Sequence, residues 1–368
     1  MDNKNQSLTA IALQKFKKNF WGVFSFWFIV ALILVSVFGY FLAPDNSENA
    51  NQMHLSIHSK SPGFEVKILS IPLSEKTETK WSHYFFGFPN YTTEIPISNF
   101  EIGDDKLSYT EYSDDPLTAQ KKEIGLDKFP EANSIQEVVD KNIQLKKFYL
   151  GTDKYGRDLL SRMIIGSRIS LSIGFVAVFI SLIVGIFFGA IGGYFGGKID
   201  ALVMWLVNII WSIPTLLLVI AITLTLGKGF WQVFVAVGLT MWVEVARVVR
   251  GQVISLKETQ YITAAKALGF GHLRIILNHI LPNIFAPVIV ISAANFASAI
   301  LVESGLSFLG LGAQPPIPSW GGMIKDHYSY IILGKPYLAI VPGLAIMLLT
   351  LAFMMIGNAL RDALDVKS

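Results

Sequence analysis

The sequence predicts an all-α polytopic membrane protein with a folded α/β insert after its first span. Two observations carry this. Six apolar runs each approach the roughly 20 residues needed to cross a bilayer. Charge is also split sharply along the chain: residues 44–149 carry 11 Lys/Arg and 17 Asp/Glu, whereas the longer stretch 171–368 carries 11 and 7. Over all 368 residues the types AVILMFWYC reach 52% and charged types only 15%, against roughly 25% in soluble domains. The mean hydropathy is +0.50. An ordinary soluble enzyme and a disordered chain are both excluded. A net charge of +3 is too small to argue for nucleic acid. Without Cys there is no disulfide scaffold, thiolate metal site or Cys nucleophile.

Residues 1–20 form an N-terminal tail, and the first span is Trp21–Leu42, within a segment 21–43. Lys15, Lys17 and Lys18 precede it as in a secretory signal. The apolar run is longer than the usual h-region and no clear A-x-A site follows, so it reads as an uncleaved anchor. The insert 44–149 has ordinary soluble charge density and recurring aromatics (Trp81, Tyr84, Phe85, Phe86, Phe88). Phe64–Pro72 and Tyr91–Ile97 read as strands. Ser134–Leu145 reads as a short helix with Ser134 as N-cap and Glu137 three residues on. His54, His58 and His83 lie in the insert, and support a metal site only weakly. The insert reads as a spacer or partner-docking domain.

The core 150–368 follows. Arg157, Arg162 and Arg168 stand beside Asp153 and Asp158, and predict a short interfacial helix with internal ion pairs leading into span two, Ile169–Phe188. Gly192–Gly197 with Lys198 mimics G-x-x-x-x-G-K, but Ile199 stands where Ser/Thr is required and a membrane helix precedes it, so it is a decoy. Its glycines suit tight packing of spans two and three. Asp200 beside Lys198 reads as a solvated turn. Span three is Ala201–Leu226, with Pro214 tolerated inside it. Span four is Phe230–Val249, where Glu244 and Arg247 read as an i,i+3 pair at headgroup level. Span five is Ile284–Phe308 and span six Tyr337–Ile356. Glu303, near the end of span five, either lines a pathway with Ser304, or reaches the interface or caps the next turn.

Orientation follows from Lys/Arg. With the N-terminus inside, the inner segments hold 12 basic residues and the short outer loops 3, namely Lys228, Lys325 and Lys335. Both termini are then cytoplasmic and the insert lies outside; long segments translocate largely regardless of charge.

The loop 251–282 is the most informative segment. Ser255 and Glu258 form a capping-box pattern, so a helix should begin near Leu256. Tyr261, Ala264, Ala265 and Leu268 fall at i, i+3, i+4 and i+7, and Gly269 should stop it. A second helix, His272–Leu281, should end at Pro282. The small-residue face suits close approach of a partner protein. A headgroup-bound amphipathic helix and a plain connector are the competing readings; the alanines argue against lipid.

Ala264-Ala265, Gly269 and Leu281-Pro282 follow the pattern A-A-x-x-x-G…L-P, which resembles the cytoplasmic loop of binding-protein-dependent ABC importer permeases. Thr263 stands where that family often has Glu, and His279 where it often has Ile. Leu150–Arg162, Gly166–Leu171, Val302–Gly322 and Leu360–Asp365 resemble signatures of the dipeptide/oligopeptide branch, C type. Asn358 stands where that branch commonly has Asp. The resemblance covers 150–368 strongly and 1–43 weakly; it leaves 44–149 unexplained, because this loop is much longer than usual.

The resemblance implies a type I ABC importer permease in the cytoplasmic (inner) membrane, with six spans and lipid around it. Its partners would be a second homologous permease, two ATP-binding subunits and an extracytoplasmic substrate-binding protein; nucleic acid is not among them. Tyr261, Thr263, Ala264, Ala265, Leu268, Gly269, Leu281 and Pro282 would couple to an ATPase cleft. Gly151, Thr152, Asp153, Gly156, Arg157 and Asp158 would form an outer-face motif open to the other permease or the binding protein. No cofactor or metal is expected on this chain; ATP and Mg would be bound by the partner ATPases. Peptides are the family default, with nickel chelates and opines carried by relatives. A stand-alone secondary transporter would need relay charges deep in the spans, and few are seen. A membrane enzyme would need a reactive constellation in the insert, and none is evident.

Overall fold

The computed structural model describes residues 8–73, 80–103, 105–227 and 229–364. Lys228, the first residues of the tail and Asp365 lie outside them. The chain divides into two units. One comprises Met1–Ile33, Ile169–Gln314 and Gly343–Ser368; the other Leu34–Arg168 and Pro315–Pro342.

Helix α1 is Leu8–Lys18, and α2, Phe20–Val37, is the first span, with one further turn, α3 (Gly39–Leu42). The insert holds strand β1 (Phe64–Pro72), the turn α4 (His83–Phe86) and strands β2 (Thr92–Ile102), β3 (Lys106–Glu111) and β4 (Lys121–Gly125). Helix α5 (Ile135–Asn142) and strand β5 (Ile143–Phe148) complete it. The strands form one antiparallel sheet in the order β4-β3-β2-β1-β5. Alternation along β1 sends Val66 and Ile68 to one face with Phe148 and Ile57, and Leu69 to the other, against Ile135 and Val138 of α5. Ser134 caps α5 by accepting from Glu137 N–H at 3.2 Å. The two expected strands are present, the second running on to Ile102; the expected helix Ser134–Leu145 is shorter, because Ile143–Leu145 belong to β5. Three strands were not foreseen: β3 and β4 carry exposed charge, and β5 follows α5 with no turn residue between them.

Among the described residues five helices are long and apolar enough to cross a bilayer: Phe20–Val37, Leu159–Phe195, Phe230–Lys257, His272–Phe308 and Tyr337–Leu364. We label Leu159–Phe195 α6; at 37 residues it is about 55 Å long and outruns the hydrocarbon. The expected third span is not one straight helix. It is α7 (Gly197–Ser212) and α8 (Thr215–Leu226), bent by 93°. Pro214 offers no N–H, and Ile213 before it is extended (φ −95°, ψ 129°), so α7 ends there. Helices α9 (Phe230–Lys257), α10 (Gln260–Ala267) and α11 (His272–Ile275) follow. Then come α12 (Phe285–Phe308), α13 (Trp320–His327) and α14 (Tyr337–Leu364).

Helix α6 approaches α9 through a glycine row. A Cβ on Gly185 would sit 2.5 Å from Val245 Cβ, one on Gly189 2.6 Å from Ala246 O, and one on Gly193 2.9 Å from Arg250 O. The spacing of four keeps all three on one helix face. The glycine-rich stretch therefore serves spans two and four through Gly193; Gly192 lies nearer Val203 of α7.

Candidate functional site

The loop 251–282 is built on a buried floor. Helix α9 runs unbroken through Ser255 to Lys257, so Ser255–Glu258 caps nothing and α10 begins four residues later than expected, at Gln260. Within α9 those amides already have partners four residues back, so the local pattern has no orphan donor to satisfy. Thr259 stands at the N-cap with extended backbone, and its hydroxyl donates to Leu256 O at 2.5 Å. Gly269 ends α10 as expected, at φ +80°. Gly269 N–H donates to Lys266 O at 3.0 Å and Phe270 N–H to Ala265 O at 3.1 Å, which satisfies the last carbonyls in a Schellman turn.

The faces of α10 differ from the expected one. Ile262 and Ala265 are buried, in one core with Val253 of α9, Ile275 of α11, and Ile280 and Ile284 beyond it. Tyr261, Thr263, Ala264 and Leu268 are exposed. Ala265 thus belongs to the floor, and the free face is Tyr261, Ala264 and Leu268. Pro282 does not end the second helix. The chain passes from α11 through a π-turn (Ile276–Ile280) and a 3-10 turn (Leu281–Ile284) into α12. Leu281 N–H donates to Ile276 O, five residues back, and Asn283 Nδ2 donates to His279 O at 2.6 Å. The wider turn accommodates the proline ring. Leu281 packs on the same floor, while Pro282 is exposed. At the C-terminal end of α6, the Tyr194 hydroxyl lies 2.9 Å from His272 Nδ1.

Charges near the loop pair differently from the sequence reading. Arg250 grips Asp200 with Nε and Nη2 at 2.5 and 2.6 Å, so Asp200 is not a solvated turn residue. Arg247 lies 3.7 Å over the Trp211 ring. Glu244 instead faces a cavity of about 190 Å³ lined by Trp211, Thr215, Thr240 and Ser298. Glu303 is fully buried in α12 and accepts from the Ser307 hydroxyl at 2.6 Å; Ser304 Oγ lies 3.5 Å away and donates to Ile300 O.

The motif expected on the outer face, Gly151–Asp158, is a clasped loop, not a helix. Gly151 and Gly156 take φ +78° and +73°, and a Cβ on either would strike backbone oxygens of Lys60 or His54. Thr152 Oγ1 accepts from Lys60 N–H at 2.8 Å and donates to Ile57 O at 2.5 Å. Asp153 is fully buried; it accepts from the amides of Tyr155 and Arg157 and pairs with Arg157 at 2.7 Å and Arg162 at 3.6 Å. The expected ion pairs are therefore present, but turned inward. Among the described residues Asp158 pairs with no arginine. It holds the first turn of α6 by accepting from Ser161 N–H at 2.8 Å, and burial pushes its carboxyl up. Helix α13 closes the motif: Lys154 pairs with Asp326 at 3.0 Å and donates its amide to His327 Nε2. Trp320 Nε1 donates to Met163 O at 3.0 Å, against Gly166. Sequence reasoning missed α13 as a partner, although Ser319 three residues before Gly322 is a cap signal.

Long apolar helices and a glycine-lined contact between two of them define a multi-pass membrane protein. The chain belongs to the family described as "Binding-protein-dependent transport system inner membrane component", whose pattern matches residues 163–367. A second pattern, "N-terminal TM domain of oligopeptide transport permease C", matches residues 7–62. The dipeptide transport system permease protein DppC of Alkalihalophilus pseudofirmus is 45% identical over 60% of this chain and 72% of its own length. The oligopeptide permease OppC of Haemophilus influenzae is 43% identical over 60% and 70%. DppC of Lactococcus lactis is 31% identical over 97% of this chain and 90% of its own, so its alignment runs across the insert as well. A solved inward-facing MetNI methionine ABC transporter chain is 18% identical with a TM-score of 0.47, covering 56% of this chain and 97% of that one.

Proposed function

We propose that this chain is one permease subunit of an ATP-driven importer of di- and oligopeptides. Relatives named for dipeptide and oligopeptide transport, similar along 60% to 97% of the chain, support the cargo class. The observation that carries the mechanism is the two-sided α10. Its outer face (Tyr261, Thr263, Ala264, Leu268) is free, and its inner face (Ile262, Ala265) is locked to the cores of α9 and α12. A push on the outer face passes through the floor, which includes Leu281, into both long helices. Gly269 fixes the exit direction and Pro282 the wide turn beyond it.

The force comes from two partner ATPases, which bind ATP and Mg; this chain's one G-x-x-x-x-G-K look-alike is the last turn of α6, Gly196 and the first residues of α7. A second homologous permease completes the pathway, with Glu303 and Ser304 of this chain beside it, and an extracytoplasmic binding protein delivers the peptide. Counted with α7–α8 as one bent span, both termini are cytoplasmic, in accord with the Lys/Arg distribution. The test is proteoliposome reconstitution of the full complex. Tyr261→Ala and Gly269→Val should leave the complex assembled and strongly reduce peptide uptake per ATP hydrolysed. Unchanged uptake per ATP in both variants overturns the coupling role; uptake by this chain alone overturns the importer reading.

A further inference from the structure

We propose that the Lys80–Phe88 loop of the insert is a membrane anchor whose aromatic side chains enter the bilayer leaflet adjoining the Leu34–Leu42 end of the first span. The inference is independent of the cargo and of the ATPase coupling; it requires only that the first span cross a bilayer.

The loop exposes Trp81 at 84%, Phe86 at 72% and Phe85 at 45% of their surfaces. A large aromatic patch of this kind is not left in water without a function. The loop is fixed to the end of the span. Tyr84 stacks on Phe41 with ring centroids 4.8 Å apart, and Phe88 packs edge-on against Tyr84 at 5.1 Å. Phe88 N–H donates to Asn46 O at 2.9 Å, and Glu48 N–H to Phe88 O at 3.2 Å. A Cβ on Gly87 would lie 2.6 Å from Glu48 Cα, so the two backbones are in direct contact. The patch therefore continues into Phe38, Phe41 and Leu42, the exposed end of the first span.

Lipid is the occupant that fits. Most of the first span is left unburied by the rest of the chain, as a lipid-facing helix is, and the aromatic patch is continuous with it. Trp, Tyr and Phe are the residues of the bilayer interface. Arg168 stands at the same level: it donates to Phe85 O and lies 5.2 Å from the Tyr40 ring, the usual place of a basic side chain among headgroups. Leu117 makes the contrast. It is 94% exposed but stands alone among Asp114, Asp115 and Thr118, as an isolated apolar residue in water does.

The chain has no Cys, so single cysteines can be labelled without removing others. Nitroxides are placed at W81C, F86C, F38C and L117C in the full chain, alone in phosphatidylcholine nanodiscs. At 81 and 86, collisions with oxygen should exceed those with a water-soluble nickel chelate several-fold, as at 38, with the order reversed at 117. Chelate access at 81 and 86 equal to that at 117 overturns the proposal. So does shielding from both reagents, or shielding that appears only when the binding protein or second permease is added, since the patch is then a protein interface. An unlabelled check is the emission lost on Trp81→Phe, which should be quenched by lipids brominated near the headgroup; absence of quenching also overturns the anchor.

Discussion

Asp153 holds two guanidinium groups out of water, and its neighbour Asp158 holds none. Replacing Asp153 with Asn leaves Arg157 and Arg162 buried without their carboxylate, a loss of roughly 3–5 kcal/mol. Asp158→Asn keeps an acceptor for Ser161 and should cost only about 1 kcal/mol. Thermal unfolding of the two variants in the same detergent should show that order, and equal shifts would mean that the ion pairs contribute little. A second carboxylate links stability to pH. Burial alone would raise Glu94, but its hydrogen bond from His54 at 3.1 Å and the Lys146 ammonium at 2.9 Å outweigh that and lower it from 4.5 to about 2. A depressed carboxylate stabilises the fold above its unfolded pKa. That stability, roughly 3 kcal/mol, is lost as pH falls from about 4.5 towards 2. Glu94→Gln should flatten the difference between unfolding curves at pH 5 and pH 3; an unchanged difference would remove Glu94 from the acid response.

At the level of elements, the contact between α6 and α9 depends on absent side chains. Gly189→Leu should prevent the helices from meeting, and Gly189→Ala should cost about 1–3 kcal/mol through overpacking. Gly305→Ala in α12, where nothing lies within 4 Å, should be neutral or stabilising by up to about 1 kcal/mol. Melting temperatures that ranked the two alanine variants equally would show that the glycine row is incidental. The same helices show how far the sequence could be read. Apolar runs located every long helix because length and hydropathy are properties of the segment itself. Gly269 was legible as a stop because a left-handed residue is a local demand. The failures were tertiary. Ser-x-x-Glu looks alike at a helix start and inside α9, and only the packing of Val253 carries the helix past it. Pro214 permits either a kink or a break, and the neighbours of α7 and α8 decide. Ala265 was assigned to the free face of α10 because a helical wheel does not say which side meets the floor.

On the scale of the whole molecule, residues 44–62 and the sheet 64–148 stand in different relations to the permease. The pattern of the N-terminal domain ends at residue 62, just before β1. Residues 54–60 are clasped by Gly151, Thr152 and Gly156, and the Tyr337 hydroxyl donates to Lys60 O at 2.6 Å. The sheet has its own core between its strands and α5. Its two ends abut: Gly63 N–H donates to Phe148 O at 2.9 Å and to Tyr149 O at 3.2 Å. A short linker from Gly63 to Tyr149 can therefore replace 64–148 without stretching either end. The cost is the newly exposed Ile57, on the order of 1–3 kcal/mol, the lost contacts of His54 and Lys60 with Glu94 and Asp114, and those of Tyr84 with Phe41 and Phe88 with Asn46 and Glu48. Excision of 64–148 should give a monodisperse membrane protein, whereas excision of 44–149 should not, because the clasped loop would have nothing to hold. Gel filtration in detergent distinguishes the two deletions, and equal aggregation of both would mean that the sheet is part of the permease fold itself.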